Sequence, residues 1–130
     1  MRKYQYSKLW KSLTFTYLIV IAYFSLRSPS PEMASIAISD KLLHIFSYLW
    51  AGLFFGLITK KKYLSLSFIF ICLYGFSIEL IQEQLGNRYY ELEDQWANMA
   101  GAFGGSLLCL FDRFNLFQQL ENYCGKSCSE

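Results

Sequence analysis

The sequence predicts an all-α integral membrane bundle of four transmembrane helices, with both termini on the cytoplasmic side. Three observations carry this. Of the 130 residues, 54% are hydrophobic and only 17% charged, which is more apolar than the roughly 45–50% of soluble domains. The charges interrupt the chain at intervals and leave long stretches nearly free of them, as spans of about 20 residues require. Basic and acidic residues also segregate between alternate interruptions, the charge bias that sets orientation in a membrane.

The first element follows Arg2, Lys3, Lys8 and Lys11, a basic start with no acid in it. An apolar run from Leu13 to Leu26 comes next, then Arg27-Ser28-Pro29-Ser30-Pro31. A basic start before an apolar run is also the pattern of a secretory signal peptide. No clean small-x-small cleavage site follows the run, and further apolar runs do, so Leu9–Leu26 reads as an uncleaved first span. Trp10 suits the water interface, and the two prolines end the helix in an extended connection.

The second span opens at Asp40-Lys41-Leu42-Leu43-His44 and stays uncharged to about Thr59. Ser39 or Asp40 is expected to cap it by accepting bonds from amides of its first turn. Lys60-Lys61-Lys62 stops it. The third begins at Tyr63, meets its first charge at Glu79 and ends by Gly86-Asn87, a pair suited to a left-handed cap. The fourth runs from about Gln95 to Phe111. Gly101 and Gly105 form a small-xxx-small pair on it that would let another helix approach closely; Gly104 is expected to serve packing as well. Residues 1–8 read as a basic cytoplasmic start, 9–111 as the transmembrane domain and 112–130 as a polar cytoplasmic tail. The ten Tyr and twelve Phe read as lipid-facing and bundle-packing bulk.

With the N-terminus inside, nine Lys and Arg fall on the cytoplasmic side and three outside, while seven acids fall outside and three inside. The formal net charge is only +2, with no dense basic stripe or zinc-finger spacing, which excludes nucleic acid as a partner. Cys72 and Cys109 lie within apolar runs as small hydrophobes. Cys124 and Cys128 sit in the tail without the spacing of a zinc site.

This topology gathers the polar residues of the spans at one face. Asp40 and His44 stand at i, i+4, as do Asp94 and Asn98; Glu79, Gln82 and Glu83 stand at i, i+3, i+4. Residues so spaced share a helix face, and Arg88 lies in the loop between. Spans two and four would aim their amide-rich N-termini at the same place, which suits an anion. Ionisable groups near bilayer depth are costly and carry a functional expectation. His44 and Glu79 are therefore the candidate acid–base pair, with Asp40, Lys41, Gln82, Arg88, Asp94 and Asn98 as candidate ligand-binding residues. Several have a plainer account: His44 bonded to Asp40 or Glu79, Glu79 as an inter-helix ion pair or hydrogen bond holding spans two, three and four together, Asp94 and Asn98 as cap and turn residues, and Arg88 closing the loop onto Asp94.

Taken in order, Asp40-Lys41-x-x-His44, an apolar hairpin, Tyr74-Gly75-x-x-x-Glu79-x-x-Gln82, Arg88, and Asp94-x-x-x-Asn98-x-x-Gly101 resemble the VanZ-like membrane proteins. The Ser/Pro-rich stretch after span one is similar too, and the resemblance covers about residues 13–111. Each motif is weak alone; their order and spacing together are specific. Many members carry an acidic pair before the Gln, whereas here Ile78 precedes Glu79 and the second acid is Glu83. The resemblance implies a small multi-pass protein of the bacterial cytoplasmic (inner) membrane. Some relatives are associated with reduced sensitivity to glycopeptides of the teicoplanin type, which act outside the cell on peptidoglycan precursors.

Three function classes follow. In the first, the outer pocket engages a lipid-linked or peptidoglycan precursor, with Arg88 and Lys41 at an anionic group. The second is a membrane-embedded hydrolase or transferase using His44 and Glu79. Ser39 and Ser77 have no activating context, so the enzyme lacks a nucleophile unless a metal on His44, Glu79 and Asp94 supplies bound water. The sequence assigns no metal ligand, and it names no cofactor. The third is a structural accessory protein. Membrane lipids are partners in every case, and a transport path through so small a bundle would need oligomerisation.

Overall fold

A computed structural model describes residues 7–27, 37–86 and 89–111. The Ser/Pro-rich connection, Arg88, the cysteines of the tail and the rest of residues 112–130 lie outside these. The described residues form four α-helices and one short 3-10 turn: α1 (Ser7–Leu26), α2 (Ala37–Ile58), the turn Lys61–Tyr63, α3 (Leu64–Gln84) and α4 (Leu92–Phe111). Three segments, Lys8–Leu26, Asp40–Ile58 and Lys61–Gln84, are long and apolar enough to cross a membrane. α4 matches α1 in length at 20 residues, but Glu93, Asp94, Gln95 and Asn98 make its first two turns polar. Many large apolar side chains face outward, among them Ile19, Phe24, Leu66, Trp96 and Phe103. An apolar coat of this extent marks a surface that meets lipid or another protein.

The helix starts differ from expectation in one respect. α2 is already helical at Ala37, so Ser39 and Asp40 lie inside its first turn and not at its cap. α4 begins at Leu92, and the Glu91 carbonyl accepts from the amides of Asp94 and Gln95. Asp94 is thus a first-turn residue, and Asn98 sits a full turn deeper, clear of any capping position. The end of α3 follows the sequence: Gly86 adopts φ 68°, the left-handed conformation that only glycine enters without a steric penalty.

α2 and α4 run side by side in the same direction with a fixed register. A Cβ on Gly101 would strike the Ile45 carbonyl oxygen, one on Gly105 the Leu49 carbonyl oxygen, and one on Gly52 would come within 2.5 Å of the Ala102 oxygen. One step further, the Cys109 thiol donates to the Leu53 carbonyl at 3.3 Å. Small residues let the two backbones meet, which is how helices pack without a hydrophobic drive between them.

α1 is attached otherwise, by side chains reaching backbone carbonyls. Thr14 reaches the Phe54 carbonyl at 3.4 Å while donating more closely to Trp10 at 2.8 Å. The Tyr17 hydroxyl donates to Ser47 at 3.2 Å, the Tyr74 hydroxyl to Leu18, and the Gln82 amide to Ser25 at 2.5 Å. Leu18 and Ile21 of α1 join Tyr48, Ala51, Ile71, Ile78 and Ala102 in the main core. Inter-helix hydrogen bonds in membranes average about 0.6 kcal/mol, with a maximum near 1.7. Tyr74→Phe is therefore expected to destabilise by about 1 kcal/mol, read as a lower thermal midpoint in detergent with the helix content unchanged.

Candidate functional site

The start of α2, the end of α3 and the start of α4 meet at one end of the bundle, and the Gln82–Ser25 bond brings the end of α1 there too. Lys60, Lys61 and Lys62 lie at the opposite end, between α2 and α3. The polar end holds Asp40, Lys41, His44, Glu79, Gln82, Asp94 and Asn98. Of these Glu79 is 4% exposed, and Asp94 and Asn98 are each 1%.

His44 is the centre of the cluster. Its Nδ1 lies 2.9 Å from Asn98 Oδ1. An amide oxygen only accepts, so Nδ1 carries the proton and donates. The expected partners, Asp40 and Glu79, stand back: Asp40 Oδ2 is 3.9 Å from Nε2 and Glu79 Oε1 is 3.9 Å from Nδ1. Asp94 Oδ2 lies 3.8 Å from Nε2. With Nδ1 donating to Asn98, Nε2 is turned toward Asp40 and Asp94.

Lys41 turns toward the start of α4. Its ammonium is 2.6 Å from Glu93 and 3.6 Å from both Glu91 and Asp94. Glu91 and Glu93 are not among the candidates read from the sequence. Only the packing of α4 on α2 brings them to Lys41.

Gln82 divides its amide: Nε2 ties α3 to α1, while Oε1 is buried with no partner. The Tyr74-Gly75 pair is structural. Tyr74 bonds α1, and a Cβ on Gly75 would come within 2.8 Å of the Tyr48 ring. Tyr48, 2% exposed, is the large core residue that sequence reasoning passed over; its place in an apolar run gave no reason to choose it. Arg88 falls outside the described residues.

The cluster is thus acid-rich, and its described lysine is already engaged by three carboxylates. Such a cluster favours a cation or a donor-rich group. A phosphate would enter only alongside a positive partner. Compared with known proteins, the chain matches no family model, no curated protein and no solved structure.

Proposed function

We propose that this chain is a multi-pass protein of the bacterial cytoplasmic membrane, VanZ-like in type. In this reading α4 is a fourth span, both termini are cytoplasmic, and the polar end of the bundle is an extracytoplasmic pocket for a lipid-linked or peptidoglycan precursor. Modulation of teicoplanin-type sensitivity follows as its cellular effect. The observation that supports it most is the convergence of Asp40, His44, Glu79, Asp94 and Asn98 from three helices, at the end opposite the triple lysine. Buried ionisable groups drawn from separate spans mark functional sites by default. A second reading, a membrane-embedded hydrolase or transferase, has the oriented Nε2 of His44 in its favour, since an imidazole nitrogen held in place through the other ring nitrogen is what a general base presents.

Glu79→Gln and His44→Ala, scored for folded yield and for teicoplanin sensitivity in the same cells, test the reading. Normal yield with changed sensitivity is the expected result. Collapse of folding in both variants would assign the cluster to holding the bundle together, and unchanged sensitivity in folded variants would remove the envelope ligand.

A further inference from the structure

We propose that Asp40, His44 and Asp94 are the protein ligands of a divalent transition-metal ion at the polar end of the bundle. The proposal rests on the reading that this cluster is a binding site, and not on which envelope molecule reaches it.

One donor atom from each residue lies within 4.8 Å of the other two, and the two separations from His44 Nε2 are 3.9 and 3.8 Å. Tetrahedral ligands at about 2.0–2.2 Å from an ion stand about 3.3–3.6 Å apart. The two edges to His44 are thus a few tenths of an ångström too long, and the third, bounded at 4.8 Å, requires both carboxylates to turn inward to close the set. Both carboxylates lie beyond hydrogen-bond distance of Nε2 and within reach of an ion placed beside it.

The shell behind the histidine supports the same assignment. A metal-bound imidazole usually donates its other N–H to a carbonyl or carboxylate, which fixes the tautomer and aims the free nitrogen. Asn98 Oδ1 occupies that place at 2.9 Å, with Glu79 Oε1 beyond it at 3.9 Å. Glu79, which the enzyme alternative would have used as a metal ligand, thus stands on the far side of the ring, and Asp40 takes its position. Asn98 Nδ2 is buried without a partner on the same side of the ring as Oδ1, a donor left for an acceptor oxygen next to the histidine.

Chemistry narrows the ion. One imidazole and two carboxylates suit Zn²⁺ or Mn²⁺, and a three-ligand site leaves a position open to an exogenous oxygen. Asp40 is half-buried, giving the ion an entry from the membrane surface. The ion would also be the positive partner that a phosphate needs in so acidic a pocket, since Lys41 is held by Glu93, Glu91 and Asp94.

The test uses the full chain in detergent with Cys124→Ser and Cys128→Ser, so that tail thiols hold no metal. After chelator stripping and dialysis, Zn²⁺ and Mn²⁺ are titrated separately by calorimetry. The expected result is one ion per chain, weakened by about tenfold or more in Asp40→Asn and by about 10–100-fold in Asn98→Ala. Folded parent protein that takes up neither ion would overturn the proposal without any site variant. So would saturable binding indifferent to both Asp40→Asn and His44→Ala. Metal bound at the site in cells whose teicoplanin sensitivity ignores His44 would keep the ion and overturn the envelope reading instead.

Discussion

Gly105→Ala will abolish the close contact of α2 and α4, while Gly104→Ala, one residue away, will leave the protein as stable as before. The Leu49 carbonyl oxygen and the Leu53 amide nitrogen occupy the space that a methyl on Gly105 would need. Both are backbone atoms and cannot turn aside, so the helices must separate. Overpacking against adaptable side chains costs about 1–3 kcal/mol, and this contact lies at or above the top of that range. At Gly104 the nearest atom is a leucine methyl at 3.8 Å, an ordinary contact, and alanine also favours the helix. Thermal unfolding in detergent and the elution profile separate the two outcomes. Equal stability of the pair would mean that α2 and α4 do not pack in this register.

Asn98→Leu will leave a folded protein destabilised by about 1–3 kcal/mol, the cost of an unsatisfied buried donor, and will change the tautomer of His44. The chain contains one histidine, so the imidazole nitrogen shifts of labelled protein belong to that residue without assignment. The wild type is expected to show the proton on Nδ1, where Asn98 accepts it. Removing the acceptor frees the ring, and the signal should move toward the Nε2–H form. A wild-type spectrum already in that form would break the assignment of Asn98 as the group that orients His44.

The sequence made the helices legible because charge and glycine interrupt apolar runs at span length. Gly101 and Gly105 announced a close helix contact by their spacing, and Asp40, His44, Glu79, Asp94 and Asn98 announced a polar end. Spacing along one helix tells which residues share a face, but not which residue of the next helix stands opposite. For that reason the bond from His44 went to Asn98 and not to Asp40 or Glu79, Lys41 reached Glu93, and Gln82 turned to a carbonyl of α1. α4 was also read as apolar from Gln95 onward, whereas its helix includes the acidic turn at Glu93 and Asp94. Those acids face Lys41, so the polarity that weakens α4 as a span is the same polarity that completes the site.

The seam between α2 and α4 also limits how the site can move. Gly101 meets Ile45, Gly105 meets Leu49 and Cys109 meets Leu53, a constant offset of 56 positions. Sliding one helix past the other by a single residue, about 1.5 Å, would drive side chains into backbone at every step. Axial sliding is therefore closed to this pair, and the gap between Asp40 and Asp94 can widen only by splaying about the glycine seam. Such a motion is largest at the helix ends and smallest at their middle. Asp40 and Asp94 stand beyond the first contact of the seam, Ile45 with Gly101, so a splay of the two helices is felt at the polar cluster before it reaches the seam itself.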